Sequence, residues 1–552
     1  MFPAKRRFGS GDRICECEGA ALRNRTSRRP RETIGPMAPQ TGTPALARRP
    51  RPGDALRWLV PGAAVFVASL LFTPNGATIF LPGDVRIYLL NAARMEQGQV
   101  IYRDFFQFTS PGTELVYLAL FKVFGQRAWI PNVTLLVLGL SLFWLSVVIS
   151  RTLISGWAVF LPGTLLLTVS LYHGLDPSHQ WFSVLAVMAA AASLTENRAP
   201  PRIALAGVLC GLASFFTLPR GLLAALGFAI FLVWERRRNP EPSGLFGSEL
   251  SLAASYLVTV FGTNAYFVWK AGLSRFIEST IIFGARYYPA DAQGNTLRTY
   301  LAAPPSLHPW YGLPWVAEYL VIHVLLPGVY LLFALRYWRE GRRRPDLPWD
   351  RLMLISITGV ALFVSVAPAP SYFRLCVVSL PALILFAWLL TRLGRPERVL
   401  TWLTWALALL MAVVDVQQVQ RHASPSIDLA SGRTAFLQPA LYEQFQWLSA
   451  HTRPSESFFE AGWANTYVAL GLRNPTPVPY VTVTAYTRPD QVQDSVEGLE
   501  AHQVQLVLWP LDLDTRRTAS DADSLGPLRA ELRSHYRVIE TFSGGDQVWQ
   551  RE

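Results

Sequence analysis

Long apolar runs alternate with short polar stretches from Trp58 to Asp415. A hydrocarbon core about 30 Å thick takes roughly 20 apolar residues per helix, and fewer where a helix is broken. On that measure the chain predicts eleven spans: 58–73, 130–150, 153–172, 180–195, 203–218, 221–234, 250–270, 314–337, 352–367, 376–391 and 399–415. One more apolar segment, 113–125 (TELVYLALFKVFG), is short and carries Lys122. It is expected to lie along the membrane surface or dip into it. After Asp415 the pattern becomes that of a soluble α/β domain. Helical spacing covers 434–452, 489–503 and the stretch LGPLRAELRSHY, while VQLVLW, YRVIETF and QVWQ read as strands. The expected fold class is therefore a polytopic α-helical membrane protein with a C-terminal soluble α/β domain.

Charge orients these elements. With a cytoplasmic N-terminus, Arg151, ENRAPPR (196–202), ERRRN (235–239), RYWREGRRRPDLPWDR (336–351) and RLGRPER (392–398) all fall on the inner side, as the positive-inside rule requires. Counting 113–125 as a full span would move several of these clusters outside. The divisions that follow are a basic cytoplasmic tail (1–56), a transmembrane domain (57–415) with a first extracytoplasmic loop (74–129), and an extracytoplasmic α/β domain (416–552). The tail is rich in Arg, Pro, Gly and Thr with no apolar period, and reads as disordered. Translation from Met1 and from Met37 both remain open.

The whole chain is 51% hydrophobic and 16% charged, with 18 Trp and 31 Phe, which excludes an ordinary soluble enzyme. Its net charge of +12 sits in the tail and the short loops, so it reports topology and anionic lipid rather than nucleic acid. Four cysteines form no disulfide framework, and the Cys15-x-Cys17 pair lacks a second half for a metal site. The C-terminal region has no nucleotide-binding glycine motif, no zinc-protease motif and no nucleophile elbow. It reads as a docking or capping domain.

Polar chemistry concentrates in the first loop, LPGDVRIYLLNAARMEQGQVIYRDFFQFTSPGTELVYLALFKVFG (81–125). Asp84 and Asp104 lie close to Arg86, Arg94 and Arg103, with aromatic residues interleaved. Two readings of Asp84 stand side by side. It is placed to cap the helix VRIYLLNAARMEQG, and it is placed to act as a general base at a cavity mouth, where low dielectric and arginines tune a carboxylate. Arg103-Asp104 reads either as a surface turn pair or as part of the same chemistry. His173, Asp176 and His179 in YHGLDPSHQW read first as polar residues at a span end, with lining of the outer cavity as the alternative.

The order Asp-x-x-x-Tyr, an amphipathic helix ending in Gly, Gly-x-x-x-Tyr-Arg-Asp-Phe-Phe, then Pro-Gly and a short apolar helix ending in Phe-Gly resembles a known loop. It is that of bacterial membrane glycosyltransferases of the C-type fold, which include protein O-mannosyltransferases and the transferases that add aminoarabinose to lipid A. The matching residues are Asp84, Tyr88, Gly98, Tyr102, Arg103, Asp104, Phe105, Phe106, Pro111, Gly112, Phe124 and Gly125. Span number and the C-terminal domain extend the likeness over about residues 58–552. The resemblance implies transfer of a sugar from a polyprenyl-phosphate donor to a cell-envelope glycan or lipid at the bacterial inner membrane. Asp84 would deprotonate the acceptor hydroxyl, with Asp104 a second catalytic candidate. A phosphate leaving group needs positive charge, and arginine binds phosphate oxygens bidentately. Arg103, Arg220 and Arg374 are therefore donor-binding candidates, with Tyr88, Tyr102 and Tyr372 beside them; Arg220 and Arg374 alternatively snorkel to headgroups. No adjacent Asp-Glu pair like that of the O-mannosyltransferases is present, which disfavours a protein acceptor. No histidine-carboxylate metal set is evident, so no cofactor is expected, a divalent ion remaining open.

Two other classes compete. A transporter or flippase of lipid-linked sugars should carry ionisable residues near mid-span, whereas here they gather in loops on one side. An O-antigen ligase or polymerase should concentrate arginines and a histidine in a large late loop, and the acidic first loop argues against it. The orientation is testable directly. A reporter fused after Glu552 should be active only outside the cytoplasm, and a cytoplasmic signal would overturn the eleven-span topology.

Overall fold

The computed structural model describes residues 52–238, 247–290, 300, 316, 319–483, 486–515 and 524–552. The expected tail up to Arg51 lies outside the described residues, as does most of the 271–313 loop beyond Ala290, including PPSLHPWYG.

Among the described residues, helix falls within each of the apolar runs. In chain order the first part comprises α1 (Pro52–Leu71), β1 (Thr78–Ile79), α2 (Asp84–Glu96), α3 (Gly112–Phe124), α4 (Trp129–Ser150), α5 (Gly156–Gly174), α6 (His179–Glu196), α7 (Pro200–Phe216), α8 (Leu218–Arg238) and α9 (Gly247–Ala271). Helices Val321–Glu340, Trp349–Val366, Tyr372–Val377, Leu380–Leu390 and Glu397–His422 follow. Among the described residues seven helices are long and apolar enough to cross a membrane, and three shorter apolar helices accompany them. The chain is a multi-pass membrane protein. The run expected as a plain helix at 153–172 is irregular, tightened at Gly156–Phe160 and widened at Leu166–Leu171. The last long helix continues past Asp415 to His422.

The first loop is knitted to the C-terminal region. Strand β1 pairs in parallel with β3 (Gly432–Ala435), which pairs antiparallel with β2 (Ile427–Leu429). The helical spacing read from residue 434 therefore starts too early. Thr434 and Ala435 are strand, and the helix begins at Pro439, whose fixed φ suits a first helical position. Asn132 on α4 donates to the carbonyls of Leu71 (2.8 Å) and Ile79 (2.9 Å), tying β1 to two long helices. Phe80, Ile87 and Leu90 from the loop share one apolar core with Phe436, Phe445, Phe458 and Tyr467. A second sheet, in the order β4-β5-β7-β6, is built from β4 (Phe458–Glu460), β5 (Leu506–Trp509), β6 (Tyr536–Thr541) and β7 (Gln547–Arg551). Within this sheet β4 and β5 run parallel and the other neighbours antiparallel. Helices Pro489–Ala501 and Gly526–His535 accompany it, as their apolar spacing predicts.

Helix α3 docks on the end of α7 with no room to spare. A Cβ at Gly112 would lie 2.5 Å from the Phe215 carbonyl oxygen and 2.9 Å from the Phe216 ring. Because backbone is the obstacle, relief requires moving α3, and overpacking of this kind costs about 1–3 kcal/mol. Gly112→Ala should therefore lower the thermal midpoint of the detergent-solubilised protein; an unchanged midpoint would show that α3 is free to shift.

Candidate active site

Helix α2 starts at Asp84, yet Asp84 does not cap it. The first free N–H, that of Val85, donates 2.9 Å to Oδ1 of Asp176, which lies in the turn between α5 and α6. Asp176 therefore takes the capping role that the sequence offered to Asp84. The same turn accepts a hydrogen bond of 2.6 Å at the Pro177 carbonyl from the Tyr117 hydroxyl on α3. The loop helices α2 and α3 are thus both pinned to the turn that joins α5 and α6.

A cavity of about 450 Å³ opens at this junction, lined among others by Asp84, His173, Asp176, Phe373, Arg374 and Trp463. Burial pushes the Asp84 carboxyl above its ordinary value, and the Arg374 charge pulls it back down. Burial, reinforced by the charge of Asp84, raises Asp176 to about 8. Two carboxyls this close do not both ionise at neutral pH. Arg374 opposes the rise at Asp84, while the Val85 N–H, Ser178 and the Arg86 charge oppose it at Asp176.

Arg374 sits in the short helix Tyr372–Val377, whose start is capped by Ser371. Its guanidinium donates to the Ala369 carbonyl at 2.9 Å and to the Tyr288 hydroxyl at 2.5 Å, which fixes the direction of the fork. Tyr372 does not line the cavity; its ring stacks on His323 and Tyr319 and meets His173 edge-on at 4.9 Å. Arg220 is buried in α8, where it donates to Gln180 Oε1 (2.6 Å), the Gln180 carbonyl (2.9 Å), Ser183 (2.8 Å) and Ser365 (3.3 Å). Those bonds commit it to joining α6, α8 and helix Trp349–Val366 rather than to a ligand. Tyr88 is buried on α2 against the His179 ring.

The other loop candidates lie elsewhere. Arg103 and Asp104 are exposed and pair with each other at 2.8 Å, and Asp104 also accepts from the Val100 N–H at 2.7 Å. The hydrogen bond from Arg103 holds Asp104 below its ordinary value. This is the surface-turn reading of the pair. Tyr102, at φ 68, turns the chain and donates to the Thr109 carbonyl at 2.6 Å. The Tyr-Arg-Asp-Phe-Phe stretch thus shapes a turn, from which the Phe106 N–H reaches the Pro477 carbonyl at 2.9 Å. The sequence favours a polar span-end reading of Asp176, with cavity lining as the alternative that the structure shows, and gives no sign of Trp463. It also passed over Glu114, which is buried, raised to about 7 by burial, and accepts from Gln107 at 2.6 Å and Asn91 at 3.4 Å. Among the described residues no three His, Cys, Asp or Glu side chains gather to hold a metal ion.

The fold built around this cavity is that of the C-type membrane glycosyltransferases. ArnT of Cupriavidus metallidurans, an aminoarabinose transferase, superposes with a TM-score of 0.54 at 13% identity, over 90% of this chain and 97% of that one. The oligosaccharyltransferase AglB of Archaeoglobus fulgidus, solved with an inhibitory peptide and a dolichol-phosphate, matches 90% of this chain and 74% of its own at TM-score 0.47 and 13% identity. No family model and no curated protein matches the sequence.

The carboxyl pair has a consequence for stability. Asp176 titrates near 8 in the folded chain against an ordinary 3.8, so between those values the folded state binds more protons than the unfolded one. Stability therefore falls as pH rises through that window. The thermal midpoint should drop between about pH 5 and about pH 8, and Asp176→Asn should flatten the drop by about 3 °C or more. An equally steep drop in the variant would remove Asp176 as its source.

Proposed function

We propose that this protein transfers a sugar from a polyprenyl-phosphate donor to a cell-envelope glycan or lipid, outside the cytoplasm and at the bacterial inner membrane. The observation that carries the reading is the cavity that holds Asp84 and Arg374 together, at the junction of the first loop and the outer helix ends. The fold shared with ArnT supports it. A polyprenyl donor is confined to the bilayer with its phosphate at headgroup level, so a site at helix ends meets it where it must lie.

The Asp84 carboxylate takes the proton of an acceptor hydroxyl as that oxygen attacks the anomeric carbon. The bond from that carbon to the phosphate oxygen breaks, and the polyprenyl phosphate leaves with the electron pair. Its added negative charge falls beside Arg374, whose fork is oriented by Ala369 and Tyr288 before the donor arrives. Pre-oriented charge of this kind costs no rearrangement during the reaction and is a major source of transition-state stabilisation. Asp176, protonated, keeps α2 in place and spares Asp84 a second negative neighbour. The proposal includes no metal and no organic cofactor. Arg103, Asp104, Tyr102 and Tyr88 shape the loop, and Arg220 positions the helices behind the cavity.

Asp84→Asn keeps the size and removes the base. It should reduce transfer by about a thousandfold or more, within the range of general-base and electrostatic contributions combined. Mass spectrometry of envelope glycans and polyprenyl-phosphate sugars from wild-type and variant cells checks this. One sugar should vanish from an envelope acceptor while its lipid-linked donor accumulates. Unchanged pools with the protein expressed would sink the catalytic reading and favour transport.

A further inference from the structure

Of the large aromatic rings that line the cavity and that the transfer chemistry does not use, Tyr172, Phe373 and Trp463, the tryptophan alone comes from the C-terminal region. Trp463 belongs to the C-terminal α/β region and follows β4 by a tight turn. The turn depends on Gly462, whose φ of +78 a side chain would strain and whose position lies against Pro510. The Val481 N–H donates to the Gly462 carbonyl at 3.3 Å, and the Asn465 N–H to the Trp463 carbonyl at 3.0 Å. Held this way, the indole is 44% exposed.

One face of the ring is braced and the ring lines a space. Trp463 stacks on Tyr480 with centroids 5.8 Å apart and planes 14° apart. The Tyr480 hydroxyl is hydrogen-bonded to that of Tyr486, and the Tyr486 ring lies 6.2 Å from Tyr288. Tyr288 in turn accepts the hydrogen bond from Arg374. A chain of aromatic rings therefore sets the indole in a defined relation to the cation of the site. A core tryptophan would be covered, and a membrane-belt tryptophan would lie on a spanning helix. This one is a partly exposed apolar plate in the wall of a cavity that also holds charged groups, stationed by the C-terminal region.

A pyranose or furanose ring has a face of C–H bonds that packs on an aromatic plate. That contact gains area at little cost in side-chain entropy, because the ring has only two torsions to fix. The donor lipid is confined to the bilayer and its phosphate is assigned to Arg374, so a ring reaching Trp463 from the aqueous part of the protein belongs to the acceptor. Resting on the transfer reading above, we propose that Trp463 is the stacking platform for a saccharide unit of the acceptor, which makes the acceptor class a glycan.

Cells carrying Asp84→Asn supply both reagents for the test, the unmodified acceptor and the accumulated lipid-linked donor. With these extracts and purified full-length protein, Trp463→Ala should raise the KM for the acceptor about tenfold or more, the loss expected for one stacked ring. The kcat and the KM for the donor should stay within about threefold. Trp463→Phe, which keeps a plate, should recover most of the loss. An unchanged acceptor KM overturns the inference while Asp84→Asn still upholds transfer. A rise in donor KM instead assigns the plate to the donor, and failure of Trp463→Phe to recover makes the indole structural. If the species that loses its sugar in Asp84→Asn cells is a lipid without saccharide, the glycan class falls. If no species loses a sugar, the transfer reading falls with it.

Discussion

The hydrogen bond from the Val85 N–H to the Asp176 side chain is the constraint on which the site depends. The N-terminus of a helix presents unsatisfied donors, and a side-chain oxygen from elsewhere in the chain answers the first of them here. Because that oxygen comes from the α5–α6 turn, the start of α2 is located relative to the membrane helices rather than relative to its own loop. Asp84, the first residue of α2, inherits that location. Its own side chain is left to line the cavity instead of capping the helix.

The arrangement also settles the charge balance of the cavity. Two carboxyls in a partly desolvated space are unfavourable unless one is protonated or both are paired. Arg374 opposes the rise at Asp84 and Arg86 the rise at Asp176. Arg220 shows the contrasting way to keep a guanidinium inside a protein. Its fork donates to a glutamine side chain, two serines and a carbonyl, so the charge is spread over fixed dipoles and joins three helices. The two arginines differ in their partners: Arg374 lines the cavity while bonded to Ala369 and Tyr288, and the Arg220 fork bonds residues of neighbouring helices.

The C-terminal region is more than a cap. Strand β1 of the first loop is held by β3, and loop and C-terminal aromatic residues fill a shared core. Trp463 then enters the wall of the cavity from that same region. Displacing the C-terminal sheet would therefore disturb both the support of α2 and the composition of the site.

Residue order alone determined much of this protein. The length and polarity of the apolar runs marked where the long helices fall, because a bilayer accepts only segments that satisfy their own backbone hydrogen bonds. Period and turn residues likewise located the later C-terminal helices and strands, and the concentration of charge in the first loop singled out Asp84. Tertiary structure decided the rest. Asp104 and Arg103 match the loop pattern as well as Asp84 does, yet a local turn pairs them with each other on the surface. Asp176 looked like a polar span end until folding brought it against α2, and nothing local distinguishes Trp463 from the other tryptophans. Spacing reports contacts within one helix or strand, where geometry repeats. Charge pairing, capping and ring stacking between distant segments depend on how helices pack, and no periodic signal in the chain encodes that.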